Sequence, residues 1–318
     1  MAWRHRASPP TMSAGEDDDE LISAVPLRRP GRRIAAAAVV ALLALFCYGA
    51  ARNRDYQWST YRAYLFDQRM FDAALVTLEL TVLSMVIGIL LGITIAIMRM
   101  SDNFVLRGVA WLYVWIFRGT PVYVQLVFWG LVTTLYKRID VGIPFMVQFM
   151  HLNTGSWLTP FVAAFVGLGL NEAAYMSEIM RAGIGSVDEG QLEASTALGM
   201  TAWQTTRRIA LPQAMRVVIP PTGNQVIGML KTTSLVIAVP LTADLYSKSE
   251  QIAAVLYRPI PLLLVASTWY LAITSVLMVG QHYLEKRYAR GSSRVLTAKQ
   301  LQGLAKAQSL AESRFGAS

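Results

Sequence analysis

Long uncharged, apolar runs alternate with short polar stretches along most of this chain. A helix that crosses a membrane needs about 20 mostly apolar residues, and several of these runs reach that length. The pattern predicts an all-α, polytopic membrane protein. Its six predicted spans cover about 34–51, 72–98, 108–136, 157–182, 214–238 and 260–284.

The polar segments beside these runs are predicted to lie outside the membrane. Residues 1–33 combine an acidic run with a basic cluster and predict a disordered tail, and residues 285–318 form a basic tail. The basic cluster followed by 34–51 also fits a signal peptide, but no separate cleavage pattern stands out, so an uncleaved anchor helix is favoured. Residues 141–156 predict a loop or a piece lying on the surface.

Composition and charge agree with a membrane protein. The chain is 54% hydrophobic and 15% charged, whereas a soluble domain carries about 25% charged residues. The net charge of +9 is concentrated in the C-terminal tail and the predicted inner loops, which puts both termini in the cytoplasm by the positive-inside rule. Four arginines on the predicted outer hairpin, at 52, 54, 62 and 69, are an exception. Aromatic and basic residues do not alternate in the way that nucleic-acid binding would require. Neither the single cysteine nor the three scattered histidines predict a metal site.

A polar segment, residues 186–212, interrupts the apolar pattern. Ser186-x-x-Glu189 is a capping box that predicts a helix from Val187. Gly199 is suited to close that helix in a left-handed conformation. Thr201-x-x-Gln204 is a second capping box, and its helix is predicted to end by Leu211 because Pro212 disfavours α geometry before it. On capping alone the segment is either a connecting loop or a docking element.

The same segment resembles the EAA signature of ABC-importer permeases. Glu-Ala-Ser, three residues, Gly, nine residues and Ile-Ala-Leu-Pro follow the family spacing, with Ser195 where a second alanine is usual. The resemblance implies that the loop is cytoplasmic and couples to a separate ATP-binding subunit. The residues that would carry this coupling are Gly190, Gln191, Glu193, Ala194, Ser195, Gly199, Ile209, Leu211 and Pro212.

Further stretches are similar to the polar amino-acid branch of these permeases, including Phe-Arg-Gly-Thr-Pro at 117–121 and Leu-Lys-Thr-Thr-Ser-Leu at 230–235. The similarity covers 73–284 and implies a five-helix permease core, with 34–51 as an additional N-terminal transmembrane helix. It also implies a multi-pass protein of the bacterial plasma (inner) membrane. Its expected partners are the ATP-binding subunit, an extracytoplasmic amino-acid-binding protein, membrane lipid and a second permease subunit, as a homodimer or a related heterodimer. No phosphate-binding loop is present in the sequence, so the partner is expected to use ATP-Mg while this chain binds no cofactor.

Polar residues within the spans are candidates for the substrate pathway, because an ionisable group inside a membrane costs about 2.5–3.5 kcal/mol and normally faces the protein interior. Glu172 would bind an ammonium group, and Arg118, Lys231 or N–H groups at a helix end would bind a carboxylate. An interrupted helix is predicted at 220–224, where two prolines precede a glycine. Glu178 and Arg181 either pair with each other or belong to the pathway. The complete candidate set is Glu79, Arg118, Thr120, Gln125, Asn171, Glu172, Tyr175, Asn224, Lys231, Thr233 and Ser234.

Two other classes of function fit the sequence less well than a permease does. An intramembrane enzyme would need a nucleophile or metal motif, and Gly-x-Ser-x-Gly and His-Glu-x-x-His are both absent from the sequence. An ATP-independent secondary transporter or channel would leave the docking segment without a role. The sequence therefore predicts a transport subunit that is not itself an enzyme, and it leaves the transported amino acid open.

Overall fold

The computed structural model describes residues 30–143 and 147–288. The chain divides into two compact units, residues 1–53 and 54–318. In the first unit, α1 (Pro30–Arg52) is one continuous helix whose described side chains are almost all exposed. The predicted tails at 1–29 and 289–318 lie outside the described residues.

The described part of the second unit is helical apart from one antiparallel hairpin. Its helices are α2 (Trp58–Leu65), α3 (Gln68–Arg99), α4 (Phe104–Gly119), α5 (Val122–Leu135), α6 (Thr154–Trp157), α7 (Pro160–Ile184), α8 (Glu189–Ala197), α9 (Ala202–Thr205), α10 (Leu211–Thr232), α11 (Leu245–Leu256) and α12 (Pro259–Tyr288). The hairpin strands are β1 (Arg138–Ile143) and β2 (Val147–Asn153). The predicted helical fold class is confirmed. The region 141–156, predicted as a loop or a piece lying on the surface, contains most of the hairpin and the short helix α6. Among the described helices α1, α3 and α12 are long and apolar enough to cross a membrane, and α5 is shorter.

The centre of the second unit is the contact between α3 and α7. A Cβ atom added at Gly88 would lie 2.7 Å from Cγ of Glu172, and one added at Gly92 would lie 2.6 Å from Cβ of Met176. These glycines therefore let the two helix backbones approach closely. Leu80 and Leu168 are fully enclosed beside this contact and belong to the largest apolar cluster of the unit.

The span predicted at 108–136 is not one helix. It divides into α4 and α5 at Thr120, which has an extended backbone (φ −115°, ψ 144°). The cause is Pro121, since a proline disfavours α geometry in the residue before it and supplies no N–H for a helix that passes through it.

The interruption predicted at 220–224 is wrong, because α10 runs through Pro220 and Pro221. The two prolines leave the carbonyls of Arg216 and Val217 without the N–H groups that would donate to them in a regular helix, while side chains donate to two other carbonyls of the same stretch. Thr222 Oγ1 donates to the carbonyl of Val218 at 2.7 Å, and Gln281 Nε2 on α12 donates to the carbonyl of Pro220 at 2.8 Å. The α geometry gives way only afterwards, where residues Thr233–Ala238 form a 3₁₀ segment.

Two short helices between the spans, α2 and α11, were not predicted from the sequence. α2 packs against α12, where Trp269 Nε1 donates to the Leu65 carbonyl at 2.9 Å and the hydroxyls of Tyr61 and Thr268 lie 3.0 Å apart. α11 begins at the buried cap Asp244 and contributes Leu245 to a second apolar cluster. Both helices are too short and too polar to stand out in a search for membrane spans.

Candidate functional site

A cavity of 170 Å³ lies where α5, α7 and α10 meet. Its lining from α7 is Leu168, Asn171, Glu172 and Tyr175, and its lining from α10 is Gln225, Gly228, Met229 and Thr232. Both sets follow helical spacing, so one face of each helix forms the wall. The cavity brings together three of the predicted pathway residues, those at 171, 172 and 175.

Glu172 is the chemically distinctive group of this cavity. Its side chain belongs to a residue that is only 6% exposed, and no described residue donates a hydrogen bond to its Oε1 atom. Buried polar atoms normally have a hydrogen-bond partner, and an exception calls for an explanation such as a ligand. The carboxyl group is thus available to accept a hydrogen bond from a donor that enters the cavity.

The break between α4 and α5 lies directly beside Glu172. The Asn171 side-chain amide donates to the Phe117 carbonyl at 2.9 Å and to Oε1 of Gln125 at 3.1 Å. Gln125 Nε2 in turn donates to the same carbonyl at 3.0 Å and to Thr120 Oγ1 at 2.7 Å. This amide network holds the end of α4 against the start of α5.

The N-terminus of α5 opens next to the cavity, since Val122 is both its first residue and a lining residue. Pro121 precedes it and no side chain caps it. The first N–H groups of a helix have no partner within the helix and carry the positive end of its dipole. The backbone interruption expected in α10 is therefore found between α4 and α5, with N–H donors beside the buried carboxyl group.

The other predicted pathway residues are dispersed. Glu79 on α3 and both Asn224 and Lys231 on α10 are exposed in the isolated chain. Thr233 is buried against Tyr270, with their hydroxyls 3.5 Å apart. Ser234 Oγ donates to the Lys231 carbonyl at 2.8 Å.

Sequence reasoning missed Gln225 and Thr232, although it selected the adjacent Asn224 and Lys231. Gln225, Gly228 and Thr232 recur at i, i+3 and i+7, which is the spacing of one helix face. This spacing was the available signal. Which face of α10 turns inward depends on the helices packed against it.

Arg118 belongs to a second cavity, of 410 Å³, on the other side of Tyr175. Its guanidinium group lies over the Tyr175 ring, 5.3 Å from the centroid, and pairs with Glu178 at 3.3 Å. The predicted pairing of Glu178 with Arg181 is confirmed at 3.1 Å, and Arg99 pairs with the same carboxylate at 2.5 Å. Arg118 thus contacts Tyr175 and Glu178, and it does not line the Glu172 cavity.

The polar segment between α7 and α10 forms a second site. Its first helix begins at Glu189 and not at Val187, because Asp188 is the cap and accepts from the Gln191 N–H at 3.3 Å. Ser186 Oγ instead donates back to the Gly183 carbonyl at the end of α7. The second capping box is confirmed, as is the left-handed Gly199 with φ +73°.

The predicted end at Leu211 is wrong, because α9 passes through a π-helical turn (Thr206–Ala210) directly into α10. Pro212 follows this π-helical turn inside the continuous helix and supplies no N–H itself, so the proline lies where the α-helical hydrogen-bond pattern is already interrupted. The second helix of the segment is consequently continuous with α10, which lines the Glu172 cavity.

Polar contacts hold α8 against this continuous helix. Ser195 is 1% exposed and its hydroxyl lies 2.9 Å from that of Thr205, while Gln213 Nε2 donates to Gln191 Oε1 at 2.6 Å. A groove of 420 Å³ runs between them. Five predicted residues line it, namely Gln191, Ala194, Ser195, Ile209 and Pro212.

Two large apolar side chains of this segment face solvent in the isolated chain. Leu198 is 81% exposed and Trp203 is 70% exposed. Gly190, Glu193, Gly199 and Leu211 are exposed as well. Exposed aromatic and aliphatic groups next to a groove are typical of protein interfaces, and neither Leu198 nor Trp203 was selected from the sequence.

Residues 88–290 match the protein family described as binding-protein-dependent transport system inner membrane component. The chain is 59% identical over 288 residues to the arginine transport system permease protein ArgU of Corynebacterium glutamicum, covering 90% of this chain and 89% of that protein. It is 38% identical over 223 residues to the histidine/lysine/arginine/ornithine transport system permease protein HisM of Escherichia coli, covering 70% of this chain and 90% of that protein.

Solved structures of ABC transporters also resemble this chain. A crystal structure of an amino acid ABC transporter with histidines aligns with a TM-score of 0.57 and 33% identity, covering 69% of this chain and 94% of that one. The MetNI methionine ABC transporter, in an inward-facing conformation, aligns with a TM-score of 0.52 and 18% identity, covering 69% of this chain and 95% of that one. The second likeness concerns the fold alone.

Proposed function

Because this chain belongs to the family of binding-protein-dependent transport system inner membrane components, we propose that it carries a basic amino acid across the bacterial plasma membrane. It is a permease subunit of an amino-acid ABC importer and a multi-pass membrane protein. An ATP-independent transporter finds no support among the relatives and structures reported above.

The observation that carries this proposal is the unpartnered carboxyl oxygen of Glu172 in the cavity between α5, α7 and α10. A basic amino acid brings an ammonium or guanidinium group that donates to such an oxygen, and a charge-assisted hydrogen bond of this kind is stronger than a neutral one. The substrate carboxylate would meet the N–H groups that begin α5 at Val122, a favourable partner for an anion.

The relatives support a basic substrate. The printed names of two of them specify arginine transport and histidine/lysine/arginine/ornithine transport. A neutral amino acid has only its α-ammonium group to donate to the Glu172 carboxylate. A basic amino acid also has a cationic side chain that can donate to it.

The energy would come from a separate ATP-binding subunit that docks on the 186–212 segment and uses ATP-Mg, while this chain binds no cofactor. Since α9 continues into α10, movement of the docked segment would be transmitted to the wall of the Glu172 cavity. An extracytoplasmic amino-acid-binding protein would deliver the substrate, and a second permease subunit, identical or related, would complete the pathway. The proposed topology keeps six spans with both termini in the cytoplasm.

The test is uptake by the complete complex, with its ATP-binding subunit and binding protein, in proteoliposomes. Labelled arginine, lysine, glutamine and glutamate are compared at saturating binding protein. We expect the basic amino acids to be transported fastest, and Glu172→Gln to lower their maximal rate about tenfold, or ~1.4 kcal/mol in activation free energy. Asp72→Asn is the control, since Asp72 is an exposed acidic residue on α3 that does not line the cavity.

Two results would contradict the proposal. Preferential transport of glutamate or glutamine would exclude a basic substrate. An equal fall in the rates of all four amino acids in Glu172→Gln would mean that Glu172 supports the fold and does not select the substrate.

A further inference from the structure

Three arginines from three helices surround the Glu178 carboxylate, and two of them, Arg99 and Arg118, line the second cavity together with Glu178. Glu178 on α7 pairs with Arg99 at the end of α3 at 2.5 Å, with Arg118 at the end of α4 at 3.3 Å and with Arg181 on α7 at 3.1 Å. Three guanidinium groups against one carboxylate leave the cluster with a net charge of +2. The cluster therefore attracts a further anion.

The cavity beside this cluster has an aromatic wall. Trp111 and Trp115, one turn apart on α4, both line it. Their rings are stacked with centroids 6.1 Å apart, and the residues are 57% and 62% exposed. Tryptophan is enriched where the hydrocarbon of a membrane meets the lipid headgroups.

The position of Arg99 indicates the depth of the cluster in the membrane. Arg99 is the last residue of α3, a helix long and apolar enough to cross the bilayer. A basic residue at the end of such a helix lies at the headgroup level. The outward side chains of α4 next to the tryptophans, at Val105, Val109 and Leu112, are apolar and exposed in the isolated chain.

We propose that this cavity binds the phosphate headgroup of an anionic phospholipid, with its acyl chains along α4. Guanidinium groups bind phosphate through paired hydrogen bonds, and basic pockets between membrane helices are suited to anionic headgroups. Arg118 is held over the Tyr175 ring, which keeps its guanidinium group oriented before the lipid arrives. The apolar face and the tryptophans select a lipid over a small soluble anion. Because Tyr175 also lines the Glu172 cavity, a bound headgroup would lie next to the substrate pathway.

The proposal is tested on the full-length chain in phosphatidylcholine nanodiscs that contain increasing fractions of bromine-labelled phosphatidylglycerol. The bromine atoms quench nearby tryptophans, and a variant with Trp111→Phe and Trp115→Phe identifies the signal from this cavity. We expect half-maximal quenching to require about fivefold more phosphatidylglycerol for each arginine removed, in Arg99→Gln, in Arg181→Gln and in the variant with both substitutions. Arg107→Gln is the matched control, because it removes the same charge from α4 while its guanidinium group donates to the Ser101 carbonyl and not to Glu178.

Arg99→Gln alone, which removes an arginine that lines the cavity, keeps the test decisive if the variant with both substitutions does not fold. Quenching shifted in the cluster variants and unchanged in Arg107→Gln would support the site. Equal quenching by bromine-labelled phosphatidylcholine would overturn it, as would displacement of the lipid by soluble glycerol phosphate. Loss of the quenching when the ATP-binding subunit is added would show that this face is a protein interface, and would also overturn the proposal.

Discussion

The shape of the Glu172 cavity depends on single residues around it, and Gly88 is the clearest case. Its missing side chain is what leaves room for Glu172, because a Cβ there would lie 2.7 Å from Cγ and 2.9 Å from Cβ of that residue. Glu172 is in turn held by the position of α3. The carboxyl group at the centre of the proposed function is thus oriented by a residue that has no functional group.

We expect Gly88→Ala to destabilise the protein by about 1–3 kcal/mol, as overpacking usually does, and to reduce arginine uptake by displacing Glu172. Thermal unfolding of the purified protein and uptake in proteoliposomes measure the two effects. Gly108→Ala is the control, since a Cβ at Gly108 meets nothing within 4 Å. Unchanged stability and uptake in Gly88→Ala would mean that α3 and α7 are farther apart than described.

Asp244 is a second residue whose environment determines its chemistry. It is 0% exposed and caps α11, where one carboxyl oxygen accepts from the N–H groups of Tyr246 at 3.2 Å and Ser247 at 3.1 Å. No described residue donates to its other oxygen. Burial raises the pKa of the Asp244 carboxyl above its ordinary value of 3.8, because the charged form loses its hydration.

A raised pKa in the folded state means that the folded protein holds this proton more tightly than the unfolded chain. The contribution to stability is complete below 3.8 and is lost as the pH rises through the raised value. We expect Asp244→Asn to remove this component from the pH dependence of the unfolding temperature. Asp188→Asn is the control, since Asp188 is also a helix cap but is exposed. Parallel pH profiles for wild type and Asp244→Asn would contradict the prediction.

Among the elements, the α8–α9 segment follows its sequence signals in part. Gly199 and the Thr201–Gln204 capping box behave as their local patterns predict, because turn and cap geometry is decided by a few neighbouring residues. The start at Val187 and the end at Leu211 were wrong. The Ser186 hydroxyl donates to the Gly183 carbonyl of α7 and does not cap α8, and α9 continues through the π-helical turn into α10. Both differences arise from contacts with the adjacent helices.

We expect Gly199→Pro to abolish ATP-driven uptake while leaving the protein in the membrane. Gly199 has φ +73°, whereas proline is restricted to about −65°, so the turn between α8 and α9 would be distorted. Gly199→Asn is the matched control, because asparagine tolerates the left-handed conformation. Uptake and membrane content are measured in parallel. Normal uptake by a well-expressed Gly199→Pro protein would remove the coupling role from this segment.

Glu193→Lys tests the same segment without altering its backbone. Glu193 is exposed on α8, so we expect its charge reversal to leave folding intact and to weaken binding of the ATP-binding subunit. Co-purification of the two subunits together with uptake measures this effect, and Glu189→Lys, exposed at the start of the same helix, is the control. Equal co-purification of the two variants would argue against a specific role of Glu193.

For the whole molecule, the division at residue 53 separates the first unit from the part that contains both candidate sites. The family match begins at residue 88. The described side chains of α1 are almost all exposed.

We expect a chain lacking residues 1–53 to keep arginine uptake within about twofold in proteoliposomes, because a compact unit with its own core retains its fold. Uptake is normalised to the amount of assembled complex. Failure of the shortened chain to assemble with the ATP-binding subunit would give the first unit a structural role in the core.

The sequence by itself determined the helical membrane class and the family, because hydropathy, capping patterns and motif spacing are local properties of the chain. It also identified Asn171, Glu172 and Tyr175, which meet in one cavity. The tertiary structure decided which proline interrupts a helix and which face of α10 turns inward. Pro220 lies within α10, which packs against α12 with a hydrogen bond from Gln281 to the Pro220 carbonyl, whereas Pro121 precedes a new helix whose N-terminus adjoins Glu172. Helical periodicity gives the spacing of a face but not its orientation, since orientation is determined by contacts between residues far apart in the chain.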